Sequence, residues 1–249
     1  MRLALLSDIH GNLIALDAVL ADLAGQGTMD AYWLLGDYAA HGTRPTEVIQ
    51  RVRALPNASF LSGNTDRYLV SGARGKVKPQ TAETYPTFAA DLRSREAVYA
   101  WGVEHLAWAE FEFLAGLRGE LEMNIPGYGW LLGYHGTPGN DEGLLYPDTP
   151  TEEVLDHLSD REGRLGVGGH THRPMDRDFG AWRVVNPGSV GLPHGGQEAQ
   201  YAIATFEGGS LTLDMRRVAF DWEAVIADAR ALAYPDVAWL AEWLTKRTG

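Results

Sequence analysis

The chain has no cysteine among its 249 residues, which excludes a disulfide framework and a thiolate metal site alike. Any metal must be held by His, Asp, Asn or Glu, a donor set that favours hard or borderline divalent ions. Positive charge is scarce: 21 Lys and Arg stand against 33 Asp and Glu, a formal charge of −12. A surface that neutralises nucleic-acid phosphates needs the opposite balance, so no strong nucleic-acid-binding face is expected. Long apolar runs are missing too. No window approaches the length of a membrane span, and Leu3–Leu6 is too short for a signal sequence and leads straight into polar residues. The chain reads as cytoplasmic, with no membrane partner. With no repeat or low-complexity tract, 45% hydrophobic and 22% charged residues describe an ordinary globular protein.

What is present starts at Ser7–Asn12, SDIHGN, a polar stretch at the end of the buried-strand run Leu3–Leu6. Leu13–Ala24 follows with leucines at helical spacing, Asn12 as its cap and Gly25 as its stop. Ala31–Leu35 is a second short strand ending in Gly36–Asp37, Pro45–Leu55 a helix with Pro45 in its first turn, and Ser59–Leu61 a third strand ending in GNTD. This β-α-β-α-β order implies parallel strands with crossover helices.

Past Asp66 the pattern changes. Lys76–Pro86 is polar and irregular; Phe88–Arg95 and Ala97–Leu117 look helical, with Trp101, Trp108, Phe111 and Phe113 expected in core and inter-helix packing. Strands resume at Glu120–Ile125 and Trp130–Tyr134 around the turn Pro126–Gly129. A helix is expected over Thr151–Ser159 with Thr151 as cap, then strands at Arg164–Val167 and Trp182–Val185, and a hairpin, Ala199–Phe206 and Ser210–Val218, about Gly208–Gly209. The terminal segment Trp222–Lys246 is helical and broken by Pro235. Antiparallel hairpins in the second half beside parallel units in the first point to two sheets packed face to face with helices outside. The whole, 1–249, reads as one domain with a helical insertion at about 67–119 and a C-terminal helical segment at about 222–247.

Five strand ends carry ligand-type side chains: Asp8 and His10, Asp37, Asn64, His135, and His170 with His172. Open α/β sheets keep their sites at the carboxyl ends of strands, and glycines beside each cluster let backbone and ions approach closely. Carboxylate, imidazole and amide donors, with one carboxylate able to bridge, suit a two-metal site of the kind that clamps an in-line displacement.

The order D-x-H, G-D, G-N, H, G-H-x-H over residues 3–190 resembles the calcineurin-like metallophosphoesterases, in particular their small bacterial and archaeal phosphodiesterase-like branch. The resemblance implies a four-layer αββα sandwich of two mixed sheets and a dinuclear centre of manganese, iron, zinc or nickel ions. Asp8, His10, Asp37 and His172 would hold one ion; Asp37, Asn64, His135 and His170 the other, with Asp37 bridging. It also implies that NPGSVG, Asn186–Gly191, forms a turn near the site. The activity implied is phosphodiester hydrolysis by a metal-bridging hydroxide, on a small phosphorylated substrate such as a nucleotide. A phosphomonoesterase is the alternative. The family also contains scaffolds with degraded sites, but no ligand is missing here. One position departs from the pattern. Where the family's phosphatases carry a histidine near the leaving group, this chain has Thr65, followed by Asp66. His41 and His194 lie in loops where they could replace it, so the candidate catalytic residues are Asn64, Asp66, His41 and His194.

Overall fold

The first strand, β1 (Arg2–Leu6), sends Leu3 and Leu5 to one side and Ala4 and Leu6 to the other, and all four are buried. A strand apolar on both faces must lie between two layers. The computed structural model, which describes residues 1–76 and 80–246, shows those layers. After β1 come α1 (Leu13–Gly25), β2 (Ala31–Leu34), α2 (Pro45–Arg53), β3 (Ala58–Phe60), α3 (Asn64–Ser71), α4 (Tyr85–Glu104) and α5 (Trp108–Ala115). The second half runs β4 (Leu121–Ile125), β5 (Gly129–Gly133), α6 (Thr151–Asp156), β6 (Leu165–Val167), β7 (Met175–Asp178), β8 (Arg183–Asn186), β9 (Glu198–Glu207), β10 (Ser210–Ala219), α7 (Trp222–Ala231) and α8 (Val237–Thr245).

Two five-stranded mixed sheets form, in the orders β10-β9-β1-β2-β3 and β4-β5-β6-β8-β7. Three apolar cores separate four layers. Leu3, Leu5, Trp33, Leu131, Val167 and Ala204 fill the space between the sheets. Ala4, Leu6, Ile203 and the buried faces of α1, α2, α7 and α8 form the second core, and Leu132, Tyr134 and Val184 meet Val154 of α6 in the third. This is the expected αββα sandwich. The sheets do not divide the chain by halves, however. The β9–β10 hairpin returns to the first sheet, antiparallel to β1 with Leu3 opposite Ala204, because the alanines of β9 fit against the inter-sheet core as β1 does.

Several local expectations are corrected. The GNTD stretch opens a helix, α3, rather than only ending a strand. The two helices of the insertion divide at His105–Ala107, not near Glu96: the Thr46 hydroxyl donates to the His105 carbonyl (2.9 Å) and accepts from the Ala107 amide (2.9 Å), satisfying the groups a break exposes. Trp101 is buried as expected, but Trp108 is 72% exposed. Helix α6 starts at Thr151 without a side-chain cap, Pro150 taking the cap position. Strand β7 escaped notice because MDRD carries three charges on an edge. Residues 77–79 of the irregular stretch and residue 247 of the terminal segment lie outside the described residues. Among the described residues no helix is long and apolar enough to cross a membrane.

Leu5 is fully buried between the sheets. Leu5→Ala should cost about 2–5 kcal/mol, which for a chain of this length lowers the melting temperature by roughly 4–20 °C. Scanning calorimetry reads this directly; a shift inside measurement error would show that the inter-sheet core repacks freely.

Candidate metal centre

The site lies where five strands end. The loops after β1 and β2 continue the ladder of their strands, with the His10 amide donating to the Asp37 carbonyl (2.9 Å) and the Gly11 amide to the Tyr38 carbonyl (2.7 Å). Between Asp8 and His10, Ile9 is fully buried in the helix-side core, which leaves the two polar side chains facing the site. Both residues are in the left-handed backbone region, and so are Asp37, His170 and His172, with φ between 50° and 64°. Non-glycine residues pay for that conformation, typically at functional sites where their surroundings over-determine it. Gly63 must be glycine for another reason: a Cβ there would collide with the Asp37 carboxylate.

Two groups gather. In one, ligand atoms of Asp8, His10 and His172 lie within 4.8 Å of one another; in the other, those of Asp37, His135 and His170 do. Asn64, the first residue of α3, adds its Oδ1 at 3.1 Å from His135 Nε2. Asp37 joins the groups, its Oδ2 lying 3.7 Å from His10 Nε2 and 3.4 Å from His135 Nε2. Its Oδ1 accepts from the Thr65 amide at 2.9 Å. Asp8 Oδ2 accepts from Ser7 Oγ (2.6 Å) and the His170 amide (3.0 Å), while its Oδ1 is buried with no hydrogen-bond partner. All seven expected ligand residues are therefore together.

The imidazoles are oriented from behind. The Nδ1 atoms of His10, His135 and His172 lie 3.0, 2.7 and 2.7 Å from the carbonyls of Ala40, Leu35 and Leu192, so each donates there and leaves Nε2 for the site. Yet His10 Nε2 and His172 Nε2 are 3.1 Å apart. Two lone pairs that close need a proton or a cation between them.

The charges agree. Burial alone would raise Asp8, but His172 and His135 hold its carboxyl down at about 2. Burial opposes charge on His135, but Asp37 and Asp8 push it up to about 10; burial is likewise outweighed by Asp8 at His172, which is raised. His10 is brought down to about 4 by burial despite Asp37. His135 and His172 are thus both raised beside two buried carboxylates, in positions that cations suit. The donor set, the orphaned Asp8 oxygen and the fixed tautomers fit divalent ions.

The candidate catalytic residues separate. Asp66 is fully buried, and its carboxylate accepts from the amides of Asp37 (2.7 Å), Tyr38 (2.9 Å) and Gly63 (3.0 Å). It positions the Asp37 loop and does not face the clusters. The Thr65 hydroxyl is buried with no partner. His41 is beside the site, its ring 5.5 Å from that of His10, with Nε2 hydrogen-bonded to Tyr99 Oη at 3.3 Å. Burial, with His10 adding to it, pushes His41 down to about 3, so it is neutral at pH 7. Burial and the charge of Arg173 lower the half-buried His194 as well.

NPGSVG does form a turn at the site, and its side chains act as a clamp that sequence reasoning left without a role. Ser189 Oγ donates to the Asp8 carbonyl (2.8 Å), and Asn186 Nδ2 donates to the Gly169 carbonyl (2.7 Å). One turn thereby grips the loops of D-x-H and G-H-x-H. The polar pair Asn186 and Ser189 around Pro-Gly was the available signal.

An αββα sandwich with two carboxylate–imidazole groups at the strand ends defines a protein built to bind divalent metal. The comparisons narrow this to a family. A model of the calcineurin-like phosphoesterase superfamily domain matches residues 1–209, and the chain belongs to that superfamily. An uncharacterized protein of Methanocaldococcus jannaschii is 28% identical over 269 residues, which cover 98% of this chain and 96% of that one. A crystal structure of a metallophosphoesterase from Sphaerobacter thermophilus shares the fold with a TM-score of 0.75 at 24% identity, over 98% of both chains. A symmetrical bis(5'-nucleosyl)-tetraphosphatase of Pectobacterium carotovorum is 36% identical over 72 residues, only 28% of this chain and 26% of that protein.

Two outcomes follow from this geometry. Asp66→Asn keeps every ligand but sets an amide NH2 against backbone N–H groups, and should weaken metal affinity about 10–100-fold, as read by calorimetry. Loading divalent metal at pH 7.5 should also expel roughly one to two protons. With His135 raised to about 10, binding must tighten as pH rises through neutrality. Calorimetry in buffers of different ionisation enthalpy counts the protons, and zero release would contradict protonated imidazoles in the empty site.

Proposed function

We propose that this chain is a phosphodiesterase working with two divalent ions, with residues 1–249 acting as one unit. The carrying observation is the pair of ligand groups joined by Asp37 Oδ2, 3.7 Å from His10 Nε2 and 3.4 Å from His135 Nε2. One ion is assigned to Asp8, His10, Asp37 and His172, the other to Asp37, Asn64, His135 and His170. Two such ions would supply Lewis-acid activation of water and neutralise charge developing on the phosphoryl oxygens. Manganese, iron, zinc and nickel all suit these donors.

The chain's own groups support the diester reading. Carbonyl-bound Nδ1 atoms hold three imidazoles in register, so little reorganisation is needed as charge develops. His41 is pushed down to about 3 and His194 is lowered, Thr65 is buried, and positive ions nearby would depress both imidazoles further. Without an imidazolium at the leaving oxygen, groups that depart readily as anions are favoured. The partial likeness to a bis(5'-nucleosyl)-tetraphosphatase supports a nucleotide-bearing substrate. A phosphomonoesterase, the second reading, asks more of the same site, since a doubly charged monoester sits less easily in a protein of charge −12.

With manganese, the purified chain should hydrolyse bis(4-nitrophenyl) phosphate faster than 4-nitrophenyl phosphate. Asp37→Asn should cost more activity than His10→Ala, because only Asp37 would fix the spacing of both ions. His41→Ala and His194→Ala should leave the nitrophenyl diester rate nearly unchanged. No diester turnover with any of the four metals would overturn the proposal; a mutant order reversed between Asp37 and His10 would overturn the shared-ligand assignment.

A further inference from the structure

Beside the first ligand group, between α4 and α8, lies a cavity of about 360 Å3 lined by His41, Arg95, Val98 and Trp239, with Asp91 and Asp236 also on its wall. His41 joins it to the site: on one side its ring is 5.5 Å from that of His10, on the other 5.6 Å from that of Trp239. The Ser94 hydroxyl donates to the Asp236 carboxylate and so ties α4 to α8 over the cavity. Trp243, one turn beyond Trp239 and 5.7 Å from it, packs edge-on against His172 at 6.1 Å. On the cavity wall, Arg95 Nε is buried with no hydrogen-bond partner.

We propose that this cavity is the subsite for the base of a nucleoside phosphate, with Trp239 as the stacking face. The inference deepens the phosphodiesterase reading and rests on it for where the phosphate sits. A phosphate at the Asp8–His10–His172 group has the cavity one imidazole away, so a ring attached through a sugar reaches it. Indole, imidazole and Val98 offer flat and apolar surface to a planar ring, and every base presents a π-face. The Arg95 guanidinium on the wall brings N–H donors toward the ring nitrogens and carbonyls of a base. Asp91 and Asp236 against Arg95 make the wall net negative, which disfavours a second phosphate there and accepts amine or hydroxyl donors instead. The volume lies at the small end of ligand pockets, enough for one nucleoside.

The test compares adenosine 5'-monophosphate with ribose 5-phosphate by calorimetry on the full, metal-loaded chain. Stacking on one aromatic side chain usually changes affinity from about fivefold to more than a hundredfold. The nucleotide should therefore bind at least about tenfold tighter than the sugar phosphate. In Trp239→Leu that ratio should fall to about twofold or less, and in Trp239→Phe most of it should remain. Tryptophan emission supplies a second measure: the nucleotide should quench the wild type more than it quenches Trp239→Phe, and ribose 5-phosphate should quench neither. Equal affinity of the two phosphates, or a ratio that survives Trp239→Leu, overturns the subsite. Turnover of bis(4-nitrophenyl) phosphate, measured in parallel, separates the two levels. Turnover without a preference for the base removes the subsite alone, whereas no turnover and no binding of either phosphate removes the phosphoesterase reading beneath it.

Discussion

Two carboxylates, Asp8 and Asp37, are buried side by side at the ends of the parallel strands β1 and β2, and positive charge must be supplied next to them. Buried charges persist only when paired and hydrogen-bonded. Here the pairing comes from imidazoles delivered by strand ends of the other sheet, His135 after β5 and His172 after β6. The site therefore sits on the seam between the sheets and also couples them. The same carboxylates push His135 up to about 10 and raise His172 against the opposing effect of burial.

Meeting that demand shapes the backbone. Five of the candidate ligand residues adopt left-handed φ, a conformation that costs about 1–3 kcal/mol each where sparsely populated. What holds them is a network outside the ligand set: Asp66 collects three amides around the Asp37 loop, Ser189 grips the Asp8 carbonyl, and Asn186 grips that of Gly169. Residues without a role in chemistry thus decide whether the chemistry has a geometry. The helices added around the sandwich do a different job. Tyr99 of α4 and Trp239 of α8 both meet His41, so these helices border the space that a substrate's organic portion would occupy.

The spacing of D-x-H, G-D, G-N, H and G-H-x-H made the clustering of all seven candidate residues legible in the sequence, because strand ends in an α/β sandwich converge and glycine marks where backbones must approach. Helix α1, its Asn12 cap and the break at Pro235 were equally legible, since capping and helix termination are local. Roles that depend on hydrogen-bond direction were not. Asp66 was a catalytic candidate beside Asn64, but its buried oxygens face amides; His41 was a candidate proton donor, but burial pushes it down to about 3. The break between α4 and α5 was hidden because Thr46, some sixty residues away along the chain, satisfies it.

By itself, then, the sequence determined the fold class, the candidate ligand residues and the order in which strands deliver them, all of which follow from short-range periodicity and spacing. Only the tertiary structure decided which sheet receives the β9–β10 hairpin, which nitrogen of His10, His135 and His172 faces the site, and which histidines are raised and which lowered. Those outcomes depend on burial and on partners distant in the chain, and neither is written in the local pattern of residues.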